Sequence, residues 1–203
     1  LVQAYVEKFN LQFNFNSLYQ LAAVATAADV VPLKDENRLI TYLGLKEINI
    51  SPINPLKILF SNLKKEGGIN IGDLIFKVAP RINAAGRLDD MSIGIKCLTS
   101  EDPKKSRDIA EQLEQLNIKR KNIQQTMQNE ANLEVDKLIE NQESDLPPVI
   151  CLFKEDWHEG IVGLIASRVK DNFDRPVFAF AQSKSGEIKL SLIHISEPTR
   201  LCR

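Results

Sequence analysis

From Asp102-Pro103 onward an apolar stripe continues at helical spacing far along the chain, and this constrains the fold more than any other feature. Ile109, Leu113, Leu116, Ile123, Met127 and Val135 recur along it with Lys, Arg, Glu and Gln between them, the pattern of a helix with one buried face. Asp102 is placed to cap that helix and Pro103 to take its first position, where a missing N–H costs nothing. The stripe runs to about Gln142, and SDLPP ends it. At 1.5 Å per residue such a helix reaches on the order of 55 to 60 Å. It must bridge two bodies or lie across one.

The flanking segments read differently. Ser17 to Ala28, SLYQLAAVATAA, is a buried helix with a capping Ser. Asp35 reads as the N-cap of a second, ENRLITYLGLKEI, with Leu39, Ile40, Leu43 and Ile48 on one face. SPINPLKILFSNLKKEG gives a third, closed by Gly67-Gly68. In IGDLIFKVAPRINAAGRLDDMSIGIKCLTS, Pro80, Gly86 and Gly94 break any long period, which predicts a loop-rich connector. After the long helix come VICLF, HEGIVGLIASRVKDNF, VFAFA and EIKL. Strand, helix, strand, strand is the order of a small α/β domain.

Composition narrows the function classes. The 203 residues carry 26 Lys+Arg against 27 Asp+Glu, so contacts to nucleic acid would have to come from local clusters rather than bulk basicity. No apolar run approaches the roughly 20 residues that span a bilayer, and LVQAYVEKFN lacks a basic-then-apolar leader, which disfavours membrane insertion and Sec-type export. Cys97, Cys151 and Cys202 are far apart with no CxxC, as in a protein of the reducing cytoplasm. The chain opens without Met, so a preceding part is expected.

Three places have chemistry to offer. Asp29 is the lone charge between Ser17 and Leu33, and a carboxylate in apolar surroundings needs a metal, a cation or N–H donors; alternatively it ends a helix before Pro32. PRINAAGR, Pro80 to Arg87, sets Arg81 and Arg87 around Asn83 and a small Ala-Ala-Gly turn, suited to phosphate oxygens approaching the backbone; alternatively the arginines pair with Asp89 and Asp90. Trp157-His158-Glu159-Gly160 lies where VICLF gives way to a helix, a usual ligand position in α/β folds; alternatively His158 only caps that helix. There is no HExxH, GxSxG or GxxxxGK[ST], and Lys119-Arg120-Lys121 reads as a solvated face.

Taken together, ATAADVVPL with the following ENR, PRINAAGRLDDMSIGIKCL, and EDWHEGIVGLIASRV resemble, in this order and approximate spacing, the RecJ-type single-stranded-DNA exonucleases of the DHH phosphoesterase superfamily. PRINAAGR followed by DD is the most specific of the three. The resemblance implies an α/β fold: the C-terminal part of a DHH domain (1–58), a connector with one long helix (59–142) and a small, truncated DHH-associated domain (143–190) that closes a narrow cleft over single-stranded DNA. It implies 5′-to-3′ hydrolysis of phosphodiesters in repair and recombination, with Mn²⁺ or Mg²⁺ held by Asp29 and by ligands upstream of Leu1. Asp29 and His158 would be catalytic, and Arg81, Asn83, Arg87 and Gly160 would face phosphate. Helicase or single-strand-binding proteins are the implied partners. Where the family continues with a Gly-Ser-Gly-Arg-Ser loop, this chain reads LSLIHISEPTRLCR, so 191–203 is expected to be a non-native, disordered tail. The alternatives are an oligonucleotide or nucleotide phosphatase of the same superfamily and a non-catalytic nucleic-acid-binding module.

Overall fold

The computed structural model describes residues 2–61, 63, 67–141, 147–183 and 185–193. The chain divides into two units, Leu1–Asn117 and Ile118–Arg203, with the boundary inside the long helix. The first unit is helical and the second α/β, as expected for the fold class.

In the first unit α1 (Val2–Lys8), α2 (Asn16–Ala28), α3 (Asp35–Ile50) and α4 (Asn54–Ser61) are followed by α5 (Ile71–Asp73), α6 (Ala79–Leu88) and α7 (Ser92–Thr99). Its core joins Ala23, Val24 and Ala27 of α2 to Ile48, Leu56, Leu74, Val78 and Ile82. Gln20 is buried and clamps α2 to the turn after α3: its amide donates to the Ser51 carbonyl at 3.0 Å, and its oxygen accepts from the Ile53 N–H at 2.9 Å. The buried face of α3 matches the expected one in part: Ile48 is buried and Ile40 and Leu43 partly so. Leu39 is exposed, and Thr41, Gly44 and Ile48 are the buried positions, because at Gly44 a Cβ would collide with the Tyr19 carbonyl of α2. Lys34 rather than Asp35 takes the cap position, with no side-chain capping bond, and α4 stops at Ser61, short of Gly67.

The expected loop-rich connector is instead almost wholly helical. Asn70 and Asp73 form a reciprocal capping box that starts α5, and the chain then widens into a π-helical turn over Leu74–Val78 before α6. Pro80 supplies the reason. It has no N–H for the carbonyl one turn back and its ring crowds that carbonyl, so a proline is tolerated inside a helical run where the backbone loosens. The Ala79 N–H accordingly reaches five residues back to the Leu74 carbonyl. Gly94 on α7 faces Ile82 of α6, whose Cγ2 would lie 3.1 Å from any added Cβ.

The long helix is present as α8 (Pro103–Asn141); Gln142 lies outside the described residues. Asp102 does cap it, accepting from the Lys104 N–H at 2.9 Å. The stripe is buried at Leu113, Met127 and Val135.

In the second unit β1 (Ile150–Lys154), α9 (Val162–Phe173), β2 (Val177–Gln182) and β3 (Ile188–Ile193) form a sheet in the order β1-β2-β3. β1 and β2 are parallel, joined through α9, and β2 and β3 are antiparallel. Ile150, Leu152, Val177, Ala179 and Ala181 point into the buried side, while Phe153, Leu190 and Leu192 alternate outward. The disorder expected from residue 191 is corrected in part: Ser191, Leu192 and Ile193 pair with Ala179, Phe178 and Val177. Alternating apolar side chains beside a pre-formed partner strand are enough to extend a ladder. The rest of the expected tail, 194–203, lies outside the described residues.

Candidate functional site

Asp29 occupies the C-cap of α2, its N–H bonded to the Ala25 carbonyl at 3.1 Å. Its side chain is exposed, so the desolvation argument drawn from its apolar neighbours does not hold; those neighbours turn inward while the helix end carries Asp29 outward. A carboxylate at the negative end of a helix is still locally disfavoured. The next residue, Val30, has φ 52, a left-handed conformation that a β-branched side chain rarely adopts. Among the described residues, no group of three His, Cys, Asp or Glu side chains is arranged to hold a metal ion. The described residues therefore do not make a metal centre on their own, and Asp29 is a single carboxylate.

PRINAAGR forms α6 rather than a turn, and the helix divides what the sequence groups together. Asn83 and Arg87, four residues apart, share one face with the exposed Gly86. Arg81 lies on the opposite face, among the buried Ala84, Ala85 and Ile82. Its side chain is 13% exposed, its Nε pairs with Glu114 of α8, and one of its terminal nitrogens donates to the Leu59 carbonyl of α4 at 3.2 Å. Neither expectation for Arg81 holds: it neither faces solvent beside Arg87 nor pairs with Asp89 or Asp90. Asp90 instead accepts from the Ser92 N–H and hydroxyl, at 2.9 and 2.5 Å, and these bonds hold its carboxyl below the usual range.

In the second unit, His158 follows the end of β1. Its Nδ1 accepts from the Gly160 N–H at 3.1 Å, and its carbonyl accepts from the N–H groups of Ile161 and Val162 at 2.9 and 3.1 Å. The ring therefore closes the turn ahead of α9 and does not cap the helix, whose N-cap is Ile161 with no side-chain capping bond. An accepting Nδ1 assigns the proton of a neutral ring to Nε2. Glu155, Asp156, Trp157, His158 and Glu159 line a cleft of about 270 Å³ with Gln182 and Ser183, at the carboxyl ends of the two parallel strands. Glu159 pairs with Lys189 of β3.

Two features escaped the sequence reading. Glu130 of α8 accepts from the Trp157 Nε1–H at 2.8 Å, and Glu114 receives Arg81. Glu114 lies away from the apolar stripe, with nothing in its neighbours to separate it from other surface acids, whereas Glu130, three residues after Met127 and seven after Ile123, falls on the stripe's own side.

No family model matches the chain. The single-stranded-DNA-specific exonuclease RecJ of Salmonella typhimurium is 41% identical over 178 residues, covering 87% of this chain and 31% of that protein. The crystal structure of Thermus thermophilus RecJ with Mn²⁺ matches with a TM-score of 0.73 at 31% identity, over 87% of this chain and 26% of that one. The structure of the same protein with Mg²⁺ gives 0.75 at 29%, over 93% and 28%. The chain spans less than a third of the length of these relatives. Over most of its length, in sequence and in fold, it is a RecJ-type segment.

Proposed function

We propose that this chain is a segment of a cytoplasmic, metal-dependent exonuclease that degrades single-stranded DNA from its 5′ end in repair and recombination. The observation that carries the reading is the match in both sequence and fold, across 87% of the chain, to proteins described as single-stranded-DNA-specific exonucleases. In this reading Asp29 is one ligand of a Mn²⁺ or Mg²⁺ centre whose other ligands lie outside the segment. Carboxylate oxygen suits either ion.

The segment's own work is to hold the strand. Arg87 offers a planar fork to phosphate oxygens, and Asn83, on the same face, offers an amide donor. His158, protonated on Nε2 when neutral, donates to phosphate rather than taking a proton, and the Gly160 N–H, bonded to His158 Nδ1, orients that ring at the strand end. Arg81 supports the α6 surface from behind and does not touch the strand.

A chimera tests this: residues 2–193 replace the matching part of the Salmonella typhimurium relative. The chimera should release nucleotides from the 5′ end of single-stranded DNA with Mn²⁺ and spare blunt duplex. Asp29→Asn should abolish that release, while changing the stability of the isolated chain by no more than about 0.5 kcal/mol, since an exposed charge at the wrong helix end is removed. A folded but inactive chimera would overturn the reading, and activity on dinucleotides alone would favour a phosphatase.

A further inference from the structure

Trp157 is the single tryptophan of the chain and is 2% exposed, so its indole N–H needs a partner inside the fold. That partner is Glu130, whose Oε2 lies 2.8 Å from Trp157 Nε1. The same oxygen lies 3.5 Å from Lys154 Nζ. Lys154 and Trp157 are the two ends of one turn, closed by the Trp157 N–H on the Lys154 carbonyl at 3.3 Å. One carboxylate of α8 therefore holds both ends of the turn that delivers the chain from β1 to His158. The next bonds along the chain are those of His158 itself: Nδ1 to the Gly160 N–H, and its carbonyl to Ile161 and Val162. Trp157 and His158 are joined by a single peptide unit, so the backbone position that Glu130 sets at Trp157 is the starting point of the His158 turn.

We infer that Glu130 is a positioning residue for the strand-end site: through Trp157 it fixes the His158–Gly160 turn in its ligand-ready form. This role deepens the proposed contact of His158 with phosphate and, as far as binding is concerned, rests on the function proposed above. A bond from a charged acceptor to a buried donor is among the stronger ones. The Lys154 contact, between groups about a third exposed, adds little by itself.

The test has two readouts on the full chain. Hydrogen exchange of the Gly160 amide, followed by NMR, reads the His158 turn without any ligand. Anisotropy of a fluorescein-labelled oligothymidylate reads strand binding. Glu130→Ala should speed Gly160 exchange about tenfold and weaken binding by a similar factor, as should Trp157→Phe, which deletes the donor. Glu130→Gln keeps an acceptor for the indole and should restore most of both. In the Glu130→Ala, His158→Ala double variant binding should be no weaker than in His158→Ala alone, because the first acts through the second. Gly160 exchange unchanged in a folded Glu130→Ala, or additive losses of binding, would overturn the positioning role. Exchange that responds as expected in a chain with no affinity for the oligothymidylate would leave that role standing and sink the functional reading instead.

Discussion

Arg81→Ala separates the two arginines of α6. The Arg81 side chain is 13% exposed and its partner Glu114 28% exposed, so truncation leaves a half-buried carboxylate without its cation and the Leu59 carbonyl without a donor. Removing one partner of a fully buried pair costs about 3–5 kcal/mol; the solvent still reaching Glu114 lowers the expectation to about 2–3 kcal/mol. At about 2–4 °C per kcal/mol for a chain of this size, the melting temperature should fall by roughly 5–10 °C. Circular-dichroism melts of Arg81→Ala, Glu114→Ala and the double variant measure this, with a coupling of about 1–2 kcal/mol expected. Arg87→Ala should reduce the slope of log affinity for single-stranded DNA against log salt by about 0.7, one phosphate contact. Equal losses of strand affinity from the two variants, with Arg81→Ala melting like the parent, would refute the assignment and return Arg81 to the ligand-facing side.

Two further outcomes follow from the first unit. Gly44→Ala drives a methyl into the Tyr19 carbonyl and the Ala23 side chain; the clash should outweigh the roughly 1 kcal/mol gained in helix propensity and destabilise by about 1–3 kcal/mol in urea titration, and a stabilised variant would show that α2 and α3 are not closely apposed. Burial pushes the Cys97 thiol up from 9.0 to about 11, so the unfolded chain ionises first and the stability tied to the neutral thiol is full below pH 9.0 and is lost as pH rises to about 11. The stability difference between the parent and Cys97→Ala should shrink across that window, and iodoacetamide should label exposed Cys151 well before Cys97; a difference constant with pH would contradict this.

Most of the fold could be read from periodicity, because the elements that carry it are long or regular. The α8 stripe and the strand-helix-strand-strand order of the second unit each repeat a spacing often enough to be unambiguous. The failures fall where one residue overrides the average. Pro80 and Gly94 are helix breakers by propensity, yet a π-helical turn accommodates the first and a close helix crossing requires the second. Gly44 likewise selects the α2-facing side of α3 over the more apolar side that Leu39 suggested, since backbone approach and not side-chain hydrophobicity sets that contact.

The candidate site was legible as residue types and illegible as directions. Sequence order places Arg81, Asn83 and Arg87 in one octapeptide, but side chains two residues apart on a helix point to nearly opposite sides, while those four apart align. Arg81 is thereby turned to Glu114, and Asn83 keeps company with Arg87. Asp29 shows the same principle at a helix end: a run of apolar neighbours says where the helix is buried, not where its last side chain emerges. The acids that organise both sites, Glu114 and Glu130, sit 33 and 27 residues from Arg81 and Trp157. Both lie on α8, and no local pattern links them to their partners. Pairing across such separations is decided by the packing of a long helix against its neighbours, so an acid of α8 such as Glu130 is where loss of strand binding should arise without any change in a residue that touches the strand.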